Sequence, residues 1–200
     1  MPKKKTSSRD RILHAATALF LKQGVAATQM QEVARRADVN QSLIGYYFPS
    51  MDGLFAEVIQ AMTLEFNAYV LDQVAKAGQD VERSLEIYTR SFYAWIDENP
   101  REARLLIYFF HLATLRDPFT SMNESFRRLG RERLSSFVHQ GSAEGRFRKL
   151  SAGEGQSLAL QIQGSILGGV LICLSERGVS PADQGEGAWR SIRAWLLPVR

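Results

Sequence analysis

A single cysteine, Cys173, stands in the whole chain, so no intrachain disulfide can form. It lies in the apolar run LGGVLICL and reads as a packed thiol. Histidine is equally scarce. His14, His111 and His139 are far apart, and none has Cys, Asp or Glu near it at metal-ligand spacing, so no metal centre is expected. A phosphate-cradling glycine loop is missing too, because the glycines of residues 163–170 fall inside an expected helix with no strand before it. Acid pairs such as Asp97/Glu98 and Glu144/Glu154 fall near expected helix ends or loops and read as surface charge. No catalytic residue, cofactor or enzymatic activity is expected.

The opening MPKKKTSSRDR has basic residues but no apolar run behind them, so a cleaved signal peptide is not expected. The most membrane-like stretch, residues 155–175, has no charged residue but carries Gln156, Gln161, Gln163 and three serines. A lipid-spanning helix rarely accepts so many polar groups. The expectation is a cytoplasmic protein without a membrane partner.

What is present is helical. Proline and glycine divide the chain into about nine amphipathic segments, and no strand pattern interrupts them. The first helix starts near Ser8, turns Ile12, Leu13, Ala16, Leu19 and Phe20 to one side, and stops at Gly24. Thr28 reads as the cap of a second helix to Arg36, and Asn40 as the cap of a third ending before Pro49. Ser50 or Asp52 then caps a long fourth helix. Further helices are expected over 81–98, from Pro100, from Pro118 to about Gln140, over 156–176 and over 188–197, with residues 141–155 as a loop. The fold class is all-α, with domains at 1–50 and 51–200.

Charge is uneven across that boundary. Residues 1–50 hold eight Lys and Arg against Asp10, Glu32 and Asp38, whereas residues 51–200 hold 17 basic and 18 acidic residues. A basic head on a near-neutral body suits attraction to phosphate.

The head has the parts of a helix-turn-helix. Met30, Val33 and Ala34 supply the inner side of the second helix, and Ala37-Asp38-Val39 a compact turn. In the third helix Leu43 or Ile44, with Phe48, turns inward, which leaves Gln41, Ser42, Tyr46 and Tyr47 outward. Gln can bond an adenine edge, Ser either partner, and Tyr a phosphate or a thymine methyl.

The pattern I-L-x-A-A-x-x-L-F-x-x-x-G from Ile12, T-x-x-x-x-V-A-x-x-A-x-V from Thr28, and Y-Y-F-P-S-x-x-x-L from Tyr46 resembles the TetR family of bacterial transcriptional regulators. The resemblance covers about the first 60 residues. It implies a homodimer that binds an inverted-repeat operator in double-stranded DNA and is released, as a repressor, by a small-molecule effector in the C-terminal domain. It places Thr28 on phosphate, Gln41, Ser42 and Leu43 at or near bases, and Tyr46 and Tyr47 on the backbone or a base edge. Gln29 and Asn40, and the arm of Lys3, Lys4 and Lys5, complete the expected DNA-contacting set. Two positions depart from the family pattern: Met51 stands where a phosphate-binding Lys is usual, and Asp38 where the turn usually has Gly.

In the body, residues 155–175 are apolar on every face, so a partner surface is expected to cover them. Gly164, Ser165, Gly168 and Gly169, with Ile172 and with Trp189, Ile192, Trp195 and Leu196 of the last helix, are the expected dimer interface. Phe92, Trp95, Tyr108 and His111 are the expected lining of a pocket for an apolar effector, although aromatics at helical spacing serve equally as plain core.

Overall fold

The protein is described here from a computed structural model covering residues 7–197. Among the described residues every regular element is an α-helix: α1 Ser8–Gln23, α2 Met30–Ala37, α3 Gln41–Tyr47, α4 Met51–Ala75, α5 Val81–Glu98, α6 Pro100–Ala113, α7 Phe119–Ala143, α8 Ala152–Ser175 and α9 Pro181–Leu196. The chain divides into two compact units, Met1–Glu65 and Phe66–Arg200, and α4 contributes to both. The boundary therefore lies beyond residue 50. Leu54, Phe55, Val58 and Ile59, in the first half of α4, are buried and supply core to the first unit.

In that first unit, α1 opens with a capping box. The Ser7 hydroxyl accepts from the Asp10 N–H at 3.1 Å, and the Ser7 N–H donates to the Asp10 carboxylate at 3.3 Å. The helix closes at Gly24, whose φ of 82° and ψ of 163° fall in a region essentially reserved for glycine. Ile12, Ala16, Leu19 and Phe20 of α1 then share a core with Val33, Ala34, Ile44 and Phe48. Phe20 and Phe55 meet edge to face, with ring centres 5.7 Å apart.

The second unit is organised by Tyr93 of α5, which is fully buried. Its ring occupies the space that a side chain at Gly169 of α8 or Gly185 of α9 would need. Leu85, Leu134, Val138, Ile162, Ile166, Trp189, Ile192 and Leu196 complete the same core. Trp189, Ile192 and Leu196, expected at a dimer interface, thus pack inside their own chain, and Gly169 serves Tyr93. The remaining interface candidates differ: Gly164 and Gly168 have open space before them, Ser165 is half-buried, and Ile172 and Trp195 are exposed.

Two helices begin earlier than the periodicity predicts. α8 starts at Ala152, where Ser151 and Glu154 form a second capping box. α9 starts at Pro181, with the Ser180 hydroxyl accepting from the Asp183 N–H at 3.2 Å. Gly153, Gly155, Gly185 and Gly187 read as helix breakers in isolation. Close packing retains two of them in helix: Gly155 faces the His139 ring and Gly185 the Tyr93 ring. α8 is long and apolar enough to cross a membrane, but Leu158, Ala159, Ile162, Ile166 and Val170 give it one face buried within the chain.

Candidate nucleic-acid interface

Burial sorts the third helix cleanly. Ile44 and Phe48 are buried, Leu43 is half-buried, and Asn40, Gln41, Ser42, Tyr46 and Tyr47 are exposed. Ile44, not Leu43, is the inward anchor. Tyr46 is 79% exposed, an unusual placement for a large aromatic side chain without a function at the surface. Tyr46 and Tyr47 pack edge to face at 5.2 Å, so each limits the other's swing. Asn40 occupies the cap position of α3, yet its side chain makes no capping hydrogen bond and stays available.

The turn before α3 is set by Asp38, with φ 52° and ψ 56°. Asp tolerates this left-handed backbone better than most residues, which is how it replaces the usual Gly. The Val39 N–H closes the turn onto the Ala34 carbonyl at 3.1 Å. Arg11 of α1 steadies it from outside by donating to the Asp38 carbonyl at 3.3 Å. Arg9 clamps the other side of the unit: its guanidinium lies 5.6 Å from the Phe48 ring centre and 2.7 Å from the Glu57 carboxylate.

Thr28 departs from expectation. The second helix starts at Met30, its cap position is Gln29, and Gln29 makes no side-chain cap. Thr28 is only 6% exposed, and its hydroxyl donates to the Gly24 carbonyl at 2.8 Å. With its one proton given inward, this hydroxyl has none for a phosphate, which only accepts. Gln29 is exposed. Met51 is half-buried at the start of α4. Lys3, Lys4 and Lys5 lie outside the described residues.

Two cations were not among the expected contacts. Arg11 and Arg35 line one shallow depression with Ala34, Asp38, Val39, Asn40 and Leu43, directly beside α3. Their signal in the sequence was weak, because each is a single charge on a helix of mixed polarity. The charge balance also changes with the longer unit. Between residues 7 and 65 five basic residues face six acidic ones, so the positive surplus of this unit resides in Lys3–Lys5.

In the second unit, Phe92 and Trp95 both pack against Phe66 of α4, with ring centres 4.9 and 4.8 Å apart. Tyr108 is half-buried on α6. His111 is exposed in the last turn of α6, so it forms no buried wall. Among the described residues no three His, Cys, Asp or Glu side chains gather as metal ligands.

A two-helix unit with a tight turn and an outward polar-aromatic second helix, followed by a helical body, defines a helix-turn-helix DNA-binding class. Residues 12–58 match the family model described as bacterial regulatory proteins, tetR family. YttP of Bacillus subtilis is 38% identical over 55 residues, covering 28% of this chain and 27% of its own length. The HTH-type transcriptional repressor NicS of Pseudomonas putida is 35% identical over 60 residues, covering 30% of this chain and 28% of its own. The chain thus matches little more than a quarter of the length of these curated relatives. A Saccharomonospora viridis protein solved in complex with choline shares the fold over 96% of this chain and 98% of its own, with a TM-score of 0.80 at 17% identity. Over residues 12–58 the chain is thus similar to the bacterial regulatory proteins of the tetR family.

Proposed function

We propose that the protein is a cytoplasmic, homodimeric transcriptional repressor that binds a two-fold DNA operator and leaves it when a small molecule binds the body. The observation that carries this reading is the third helix. Gln41, Ser42, Tyr46 and Tyr47 face outward as a set while Ile44 and Phe48 anchor it, the display that major-groove reading needs. The repressor NicS is similar in sequence over 60 residues at 35% identity, and the choline complex of a structural relative supports a ligand-binding body.

The exposed apolar face of α8 supports dimerisation. Only 28% of its most apolar window is buried within the chain; Leu160, Gly164, Gly168, Leu171 and Ile172 are exposed along it, and Trp195 is exposed on α9. An apolar helix face of this length requires cover. A second copy supplies it and also doubles the recognition helices. Each correct base pair contributes about 1–3 kcal/mol, so two linked heads reach an affinity that one cannot.

Selection of bound sequences from random duplex DNA tests the reading. An enriched inverted repeat is expected, and enrichment of no inverted repeat would overturn it. Light scattering tests the dimer, which a lone 22.5 kDa species at micromolar concentration would exclude.

A further inference from the structure

The outward helix of the head carries no charge of its own: α3, Gln41–Tyr47, has neither a basic nor an acidic side chain. Duplex DNA presents about one negative charge per 1.7 Å of its axis, so cations beside this helix must meet the phosphates that line the groove. From Thr28 to Val58 the only basic residues are Arg35 and Arg36.

The cations of the first unit separate by what they touch. Arg9 is engaged by the Glu57 carboxylate and the Phe48 ring. Lys22 stands in the last turn of α1, at the far end of that helix from Arg9 and Arg11. Arg11 and Arg35 come together in the open depression of about 500 Å³ that also takes in Asn40 and Leu43. Arg36, the next residue, is exposed as well but does not line it.

Donors gather in this depression. Arg35 is exposed and pairs with no carboxylate among the described residues. Arg11 gives a single nitrogen, Nη1, to Asp38, donating to its carbonyl at 3.3 Å and standing 3.8 Å from its carboxylate. Its Nη2 and Nε carry no hydrogen bond among the described residues. The Asn40 amide makes no capping bond. One group opposes an anion here: the Asp38 carboxylate, fully exposed and met only by Arg11 among the described residues.

We infer that this depression seats a backbone phosphate of the DNA, with Arg35 as its principal donor and Arg11 and Asn40 beside it. The uncharged α3 is thereby held against one strand from its Asn40–Leu43 side. This rests on the DNA-binding reading above and extends it to residues outside α3. A guanidinium fork fits two phosphate oxygens at once, and such contacts fix the register of a reading helix without carrying sequence information. A phosphate contact from Arg35 therefore acts alike on every sequence, whereas a base contact from Gln41 does not.

Fluorescence anisotropy of the full-length protein on the selected operator and on a duplex of scrambled sequence, across a series of salt concentrations, tests the seat. Arg35→Gln should weaken both duplexes at least about tenfold, the factor that one charge-assisted hydrogen bond supplies. It should also lower the slope of log K against log salt by about 0.9 per head. Arg35→Lys keeps the charge and should restore the slope, and Arg36→Gln removes the same charge one position away and should leave the slope unchanged. Asp38→Asn tolerates the positive φ of the turn, removes the opposing carboxylate, and should tighten both duplexes about two- to fivefold. Arg35 is exposed, so its variants are expected to keep the melting temperature of the unmodified protein.

An unchanged slope in Arg35→Gln, an equal loss in Arg36→Gln, or an Asp38→Asn protein that binds no more tightly would each overturn the seat and leave the DNA-binding reading in place. A loss confined to the operator would make Arg35 a base contact and overturn the seat as well. An unmodified protein that binds neither duplex at low salt would overturn the DNA-binding reading itself, and the seat with it. The full Arg35 effect on scrambled duplex, with no inverted repeat enriched by selection, would support the seat and overturn the operator.

Discussion

Gly185 of α9 lies directly against Tyr93 of α5: a Cβ there would stand 3.2 Å from three atoms of that side chain. On the opposite side Gly169 of α8 also yields to Tyr93, this time to the hydroxyl end of the ring, which donates to the Ile166 carbonyl at 3.4 Å. One aromatic residue therefore dictates two glycines on two other helices.

This arrangement predicts that Gly169→Ala destabilises the protein despite alanine's better helix propensity. Overpacking of a filled core costs about 1–3 kcal/mol, against a propensity gain of about 1 kcal/mol. Gly153→Ala, with open space before it, should be neutral or stabilising. Thermal melts of both variants decide, and a stabilised Gly169→Ala would contradict the packing described.

On the outer face of α8, Gly168→Lys should dissociate the dimer and leave the helix content of the monomer intact, because nothing in the chain opposes that position. Trp195→Ala should weaken the dimer less, since most of Trp195 is already covered by its own chain and only 39% is left for a partner. Sedimentation at several concentrations measures both. A Gly168→Lys protein that remains dimeric at nanomolar concentration would place the interface elsewhere.

Gln41→Ala and Thr28→Val should separate recognition from stability. Gln41 is exposed, so its loss should leave the melting temperature unchanged and weaken specific DNA binding by about 1–3 kcal/mol per head. Thr28→Val removes a buried hydrogen bond to Gly24 and should cost about 0.5–1.5 kcal/mol of stability with little change in DNA affinity. The opposite pattern would restore Thr28 as a phosphate contact.

Removal of residues 1–6 should flatten the salt dependence of DNA binding, because the surplus charge of the first unit lies there. Each phosphate contact contributes about 0.9 to the slope of log K against log salt, so three lysines per head give a change of up to about 5 in a dimer. An unchanged slope rules the arm out as a phosphate ligand.

The two capping boxes predict a mild acid sensitivity of α1 and α8. The Ser7 side chain holds the Asp10 carboxyl below its ordinary pKa of 3.8, and the Ser151 backbone N–H, then its hydroxyl, holds Glu154 below 4.5. A lowered folded pKa means that the stabilisation is present above these ordinary values and is lost as pH falls through the lowered ones. Glu154→Gln retains the cap geometry and should remove the contribution of α8 to that acid limb of the stability curve.

Local signals carried most of the helices. The expected helix over 81–98 coincides with α5, and the inward set of α1 is buried as its period requires, apart from half-buried Leu13. The start of α9 was hidden because Gly185 and Gly187 argue against a helix until Tyr93 is placed beside it. The arginines of α7 were silent for a similar reason. In the sequence Arg131 and Arg133 look like any solvated charges, and only the tertiary structure places them against the neutral amides of Gln163 and Asn67.

The sequence by itself determined an all-helical chain with an outward-facing Gln41-Ser42-Tyr46-Tyr47 helix, because periodicity, caps and turn residues act within a few positions of one another. Only the tertiary structure decided which apolar face each helix turns to its own chain. Periodicity marks a face as apolar without naming what covers it. Trp189, Ile192 and Leu196 went inside, while Gly164, Gly168 and Ile172 stayed out, because α5 and Tyr93 had already filled the other side. Burial is a property of partners distant in sequence, and no local pattern encodes it.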